Sequence, residues 1–280
     1  MGIVVNLKQI SLYTLEVLQQ SPTLGAALFD AQYLPESPFW NTSEGFDEYD
    51  ERTKKEARMR FDRCVFRALR DRLSFWDRLS DFLVFEVISK FISHDRTRPK
   101  SRRPKHLSWH QAIEQHFLTE WEIPELDLGK NLYELTLLLS GYAPAYYHSS
   151  DGLLLELESY KGRGDGEFLS FLVVESSDYG SPPLVNAVGA GTQLEYETGY
   201  GPVRYLLPNE NEQILSGLLR LTKEDLWERY RTELRKEKPC SWFVFLDEEI
   251  LEGVLELYDE IVFYYNDAVK NQRVMLLYLT

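Results

Sequence analysis

The closing stretch, Asp247 to Leu279, constrains the fold more than any other part of the chain. Apolar residues recur at Ile250, Leu251, Val254, Leu257, Ile261 and Tyr265, which is one stripe of a helix running to about Lys270. Asn271 and Gln272 then turn the chain into Val274-Met275-Leu276-Leu277-Tyr278-Leu279, a continuous apolar run that suits a strand buried on both faces. Such a strand needs sheet neighbours and cover from earlier in the chain. The first candidate neighbour is Gly2 to Leu7, a short apolar run ending before Lys8.

Ser11 stands where an N-cap would be, ahead of Leu12, Leu15 and Leu18 at helical spacing. That helix stops near Ser21-Pro22, and Pro22 restarts a short one through Leu24, Ala27, Leu28 and Phe29. Tyr33 to Tyr49 reads as an irregular connection. A helix over about Glu48 to Leu73 sets Phe61, Val65, Ala68 and Leu69 against Arg58, Arg60, Arg63, Arg67 and Arg70. A second, over about Phe75 to Ile92, is apolar over a wider arc, and its Asp77, Asp81 and Glu86 could pair with those arginines. Ser108-Trp109-His110-Gln111 has the form of a capping box opening a helix to about Glu120. Leu126 to Ser140 reads as a helix ended by Gly141. Gly152 to Tyr160 and Glu167 to Val174 read as a hairpin around Lys161 to Gly166. Pro208 opens a helix through Ile214, Leu215 and Leu218, and Thr222 to Asp225 is a second capping box.

Between the hairpin and Pro208 lies the least generic run, LVNAVGAGTQLEYETGYGPVRYL, Leu184 to Leu206. Its glycines come as two close pairs, Gly189 with Gly191 and Gly199 with Gly201, the second followed by Pro202. Glycine tolerates positive φ and proline fixes φ, so the run reads as two tight turns feeding a strand. A phosphate-cradling loop is the competing reading. Neither pair completes G-x-G-x-x-G, since Leu194 and Arg204 hold the third glycine position.

Several blocks together carry a family resemblance: SLYTLEVLQQSP near the start, LDLGKNLYELTLLLSG (Leu126 to Gly141), PLVNAVGAGTQL, GYGPVRYL, and the closing YDEIVFYYNDAVKNQRVMLLYL. In content and order they resemble the bacterial domain-of-unknown-function 1877 family, also called YfbM-like. The resemblance implies an α+β fold, a small mixed sheet packed with helices in a single domain, with no assigned activity and no catalytic residues. Two stretches depart from the family pattern, at about 31–125 and 143–182. The first is expected to be a helical insertion that packs as a cap on the family domain, the second a hairpin insertion.

The net charge of −14 is unevenly spread. Asp50 to Lys105 holds 17 Lys and Arg against 9 Asp and Glu, leaving 14 against 36 elsewhere. A basic segment in an acidic body is an argument about partners, not about fold. Cys64 and Cys240 make no metal or redox spacing and read as buried thiols of a cytoplasmic protein. No basic leader precedes an apolar run and no apolar stretch reaches about 18 residues, so neither export nor membrane insertion is expected. Met1-Gly2 invites a myristoylation reading, which Asn6 at the required Ser/Thr position argues against.

Known chemistries find little purchase. The five histidines are His94, His106, His110, His116 and His148, with no H-E-x-x-H. His106 and His110 are four apart, but a helix capped at Ser108 would keep them off a shared face. Ser140-Gly141 and Ser216-Gly217 sit at leucine runs and not at a nucleophile turn, and Asp247-Glu248-Glu249 is explained by a helix N-terminus. No metal, cofactor or catalytic residue is therefore assigned. What remains is a polar set in the central run: Asn186, Tyr200, Arg204 and Tyr205. Arg204 and Tyr205 would face opposite sides of a strand, so only one can share a pocket with Tyr200; otherwise Arg204 neutralises an acid and Tyr205 is core.

Two functions follow from these readings. The first is a non-enzymatic, acidic module that binds a basic protein partner, as an antitoxin-like or adaptor protein would. The second is a small-ligand binder or enzyme using the Gly199 to Tyr205 turn. Nucleic acid ranks below both, although Arg96 to Lys105 places six positive charges in ten residues. That run has no aromatic residue for base stacking, and the acidic body repels a polyanion. The expected result is weak, non-specific DNA or RNA binding confined to low salt, checked by titration across ionic strength. A tight complex at physiological salt, lost on changing Arg98, Arg102 and Arg103 to Ala, would contradict it.

Overall fold

A computed structural model describes residues 4–41, 48–72, 105–140, 144–149, 152–157, 184–188, 191–234 and 248–280. The expected helix over 75–92, the basic run up to residue 104, the strand over 167–174, and Cys240 lie outside these residues. The chain divides into two compact units, residues 1–16 with 124–280, and residues 17–123. The described helices are α1 (Leu12–Gln20), α2 (Leu24–Ala31), α3 (Glu48–Arg72), α4 (Lys105–Glu120), α5 (Leu132–Ser140), α6 (Pro208–Leu218), α7 (Lys223–Leu234) and α8 (Glu248–Lys270).

The first unit is built on a five-stranded sheet. Its strands are β1 (Val5–Ile10), β2 (Leu126–Asp127), β5 (Thr192–Thr198), β6 (Gly201–Leu206) and β7 (Val274–Leu279), in the order β2-β1-β7-β6-β5. A separate two-stranded ladder joins β3 (Pro144–Ser149) to β4 (Gly152–Leu157). All pairings among the described strands are antiparallel, where a mixed sheet was expected, and the α+β class holds. Every residue of β1 and β7 is buried, as the apolar run at the C-terminal end requires. The two strands pair from Val5 with Leu279 to Ile10 with Val274, and Val4 and Thr280 exchange backbone hydrogen bonds of 2.9 and 3.0 Å.

The long helix α8 covers the sheet face that carries Gln9. Gln9 donates from Nε2 to the Tyr264 carbonyl at 3.0 Å, and its backbone N–H donates to the Tyr264 hydroxyl at 3.1 Å. That hydroxyl donates in turn to the Pro124 carbonyl. Burial pushes the Tyr264 phenol well above its ordinary range. The next residue, Tyr265, is fully buried and donates to the Ala187 carbonyl at 2.8 Å.

Side chains from neighbouring helices satisfy the carbonyls that helix ends leave orphaned. The Tyr258 hydroxyl lies 2.8 Å from the Leu218 carbonyl and 3.0 Å from that of Leu221, at the end of α6. Arg229 Nη1 donates to the carbonyls of Leu138 and Leu139 at the end of α5. The capping box at α7 is present: Thr222 N–H donates to Asp225 Oδ2, and Asp225 N–H to Thr222 Oγ1. The Thr222 N–H and hydroxyl, both donating to Asp225 Oδ2, hold that carboxyl below its usual pKa range.

The second unit packs α2, α3 and α4 around Leu24, Leu28, Phe61, Val65, Ile113 and Phe117. The arginine row of α3 finds acids here: Arg60 pairs with Asp30 at 2.7 Å, and Arg58 with Glu36 at 2.6 Å and Glu114 at 2.8 Å. Buried indole N–H groups are also matched, Trp121 to the Leu28 carbonyl and Trp40 to that of Leu34.

Several boundaries differ from the sequence reading. The first strand runs three residues later than expected, so Lys8 and Gln9 lie inside it, fully buried. Leu126–Asp127 is an edge strand and not the start of a helix, because Gly129, at φ 60°, turns the chain before α5. The helix α4 opens at Lys105, so Ser108 lies in its first turn and is not its cap. The strand β4 forms as expected and pairs with β3, Ser149 standing opposite Gly152, while the expected partner over 167–174 lies outside the described residues. Cys64 is half-buried, and not core as expected.

Tyr265→Phe is expected to lower stability by about 1 kcal/mol, the value of one buried hydrogen bond, as a shift in denaturant midpoint without a change in slope. Burial raises the Tyr265 phenol above its ordinary value. The neutral phenol therefore contributes stability that is intact below about pH 10 and lost as pH rises beyond it. The Phe variant should lose less stability above that pH.

Candidate functional site

The central run folds as a hairpin, not as turns leading into one strand. Thr192 pairs with Tyr205 and Gln193 with Arg204; after a register shift Glu197 pairs with Pro202 and Thr198 with Gly201. Gly191 and Gly201 both take φ of 127°, a region that side chains rarely adopt. At Gly191 there is a second reason for glycine, because a Cβ there would lie 2.7 Å from the Tyr205 carbonyl oxygen. Gly199 has nothing within 4 Å of its would-be Cβ. The hairpin tip is closed by Thr198 Oγ1 donating to the Gly201 carbonyl at 3.1 Å.

Sheet register decides where the candidate side chains go. Arg204 sits opposite Leu277, and Leu277 opposite Leu7, so these three share a face. Leu7 and Gln9 share that face by alternation, and Gln9 is the residue bound to Tyr264 of α8. Arg204 therefore projects beneath the helix layer, while Tyr205 points to the opposite face and is half-buried.

Arg204 is 3% exposed. Its Nη1 donates to the Gly191 carbonyl at 3.1 Å, and its buried Nε has no hydrogen-bond partner. Among the described residues no carboxylate pairs with it, and burial draws its pKa down to about 10. Asn186 lies in the 3-10 turn Leu184–Ala187, is 1% exposed, and has neither side-chain amide atom hydrogen-bonded. Its neighbour Ala187 is tied to α8 through Tyr265.

Asn186 and Gly191, whose carbonyl holds Arg204, stand five residues apart in the chain. Tyr200 is half-buried in the hairpin turn, four residues from Arg204 or roughly 13 Å along an extended chain. Two further buried polar residues escaped the sequence reading, Gln9 and Asn211. Each makes hydrogen bonds, Asn211 Nδ2 to the Arg273 carbonyl at 2.9 Å, yet leaves its side-chain oxygen unpaired. Asn211 carried a legible signal, since it precedes Ile214, Leu215 and Leu218 by three, four and seven residues and so lies on the apolar face of α6.

The second feature is a surface. Charge divides cleanly between the units: the first holds 14 Lys and Arg against 28 Asp and Glu, the second 17 against 17, so the first unit carries the whole −14. The outer side of α8 exposes Glu252, Glu256, Asp259 and Glu260, and next to them Phe263 is 73% exposed. Lys223 pairs with Asp259 at 2.6 Å.

The histidines are placed differently from the sequence reading. Because α4 is continuous from Lys105, Ser108 does not interrupt the helix between His106 and His110, which lie about one turn apart along it. His110 Nε2 lies 2.9 Å from Asp62, yet among the described residues no group of three or more His, Cys, Asp or Glu is arranged to hold a metal ion.

Residues 166–278 match the model of a family described as Domain of unknown function (DUF1877), which shows for that stretch the relationship suggested by PLVNAVGAGTQL, GYGPVRYL and the closing helix and strand. Neither a curated protein nor a solved structure matches the chain.

Gly191→Ala is expected to destabilise by about 1–3 kcal/mol from backbone strain, with the close Tyr205 carbonyl adding to it. Gly199→Ala should stay within about 0.5 kcal/mol of the parent. Thermal or denaturant midpoints of the two variants check the contrast.

Proposed function

We propose that this chain, related over residues 166–278 to a domain without assigned activity, is a non-enzymatic cytoplasmic binding module that meets a basic protein partner, in the manner of an antitoxin or adaptor. The observation that carries this reading is the outer side of α8, where Phe263 stands exposed beside Glu256, Asp259 and Glu260. An exposed aromatic is costly to leave in water and is the residue type that anchors interfaces. Acids around it add encounter rate and select against acidic partners. The confinement of all excess negative charge to this unit supports the same reading.

The test is binding of the full chain to a set of lysine-rich and arginine-rich proteins across ionic strength. Salt-sensitive association is expected, weakened about tenfold or more by Phe263→Ala, a loss of the size seen at interface anchors. Glu256→Gln with Glu260→Gln should lower the association rate and flatten its salt dependence. If no basic protein associates at low salt, or if Phe263→Ala binds as the parent does, the reading is wrong. A small-ligand site is favoured by a different observation, the buried guanidinium of Arg204.

A further inference from the structure

A guanidinium has two edges that can hold two acceptors side by side, and the lateral one is formed by Nε–H and one Nη2–H. In Arg204 the opposite nitrogen, Nη1, is the one engaged, by the Gly191 carbonyl at 3.1 Å. The lateral edge makes no hydrogen bond among the described residues, and its Nε is out of contact with solvent. A buried cation in this condition is costly unless an acceptor of matching shape completes it. The matching shape is a carboxylate or a phosphate, whose paired oxygens fit that fork.

A second, independent feature is Asn186, five residues before Gly191 in the chain. Asn186 is buried with a free amide donor and a free carbonyl acceptor. Buried amides without partners are rare in native proteins, because each unmade hydrogen bond forfeits the full desolvation cost. Its position is not loose: the turn that holds it is anchored by Tyr265 to Ala187, and Gly191, which holds Arg204, is anchored by its close approach to Tyr205. Both polar groups are thus presented by rigid elements, as a ligand site requires.

We propose that Arg204 and Asn186 form a binding site for a small molecule bearing an oxyanion, the Nε–Nη2 fork of Arg204 holding the carboxylate or phosphate and the Asn186 amide pairing with a polar group of the same ligand. No carboxylate among the described residues acts on Arg204, which leaves the guanidinium available for such a ligand. The site is separate from the acidic surface of α8 and does not depend on the proposed protein partner.

The test uses the full chain at constant ionic strength, with sodium chloride replaced stepwise by sodium phosphate in one arm and sodium acetate in the other. Thermal midpoint and calorimetry are the readouts. A saturable rise with phosphate alone assigns a phosphate-bearing ligand, and one with acetate alone a carboxylate-bearing ligand. Arg204→Met, which keeps the buried volume but removes fork and charge, should abolish the response. Asn186→Ala should weaken the apparent affinity about tenfold, the loss expected for hydrogen bonds to a buried ligand. The proposal is overturned if neither anion shifts the midpoint beyond chloride, showing a general salt effect only, or if Arg204→Met responds as the parent does. Should Arg204→Met fail to fold, Asn186→Ala decides: unchanged affinity overturns the two-residue site.

Discussion

The pairing of the first strand with the last is the contact on which the rest of the first unit depends. Asn6 and Thr280, 274 residues apart in the chain, are joined by a side-chain hydrogen bond, and the six residue pairs of β1 with β7 run alongside. Closing a loop of that length costs roughly 5 kcal/mol of chain entropy beyond a constant. Against that stand Val5, Leu7, Ile10, Val274, Met275 and Leu276, all fully buried, and a buried aliphatic side chain contributes about 1.5–3 kcal/mol. Two or three such residues offset the closure, so the pairing is stable although it joins distant parts of the chain. Contacts this non-local form slowly. The outer strands β2, β6 and β5 add on either side of the central pair, and α8 docks on a face that the pair helps to make.

What was legible in the sequence follows from how local each signal is. The helix and strand at the C-terminal end were readable because α8 keeps one apolar stripe over 23 residues and β7 has no polar position. The capping box at Thr222 was readable because both of its partners lie within one turn. The strand β1 was misplaced for the opposite reason: Lys8 and Gln9 look like the end of an apolar run, and only the tertiary bonds of Gln9 to Tyr264 explain why they lie inside the sheet. The edge strand β2 has two residues and no pattern of its own. Its register comes from Asn6 and Leu7 across the sheet. The candidate site was half legible: glycine spacing pointed to the hairpin, and alternation put Arg204 and Tyr205 on opposite faces. Nothing in the sequence could show that Arg204 finds no acid among the described residues, since that depends on which residues the sheet brings alongside.

The buried polar groups of the first unit fall into two kinds. Tyr258, Tyr264, Tyr265 and Arg229 each reach a backbone carbonyl on another element. Such bonds serve twice, satisfying a group that the fold would otherwise leave orphaned and locking two elements in one relative position. Arg229 shows how much this matters for a cation: burial lowers its pKa, but Asp225 acts in the opposite direction and two carbonyls accept from one of its nitrogens. Among the described residues Arg204 has one carbonyl and no acid. Two arginines of the same unit, both withdrawn from water, thus differ in what completes them, and that difference marks Arg204 as the exception.

That exception stands inside the part of the chain that carries all of the excess negative charge. A pKa of about 10 leaves Arg204 protonated at neutral pH, so the fold holds a genuine buried cation. The exposed acids of α8 form no ion pair with it, and exposed charges are screened beyond about 8 Å at physiological salt. The same acids shape what could reach it. An anion approaching the first unit is opposed by the surrounding field, so electrostatic steering gives it no advantage in encounter. Binding at Arg204 then has to come from geometry after entry, from the fork and the neighbouring amide in a water-poor setting where each hydrogen bond is strong. The arrangement thereby favours a small ligand with one oxyanion and a polar partner for Asn186 over a polyanion, while the outer acids remain available to a basic protein.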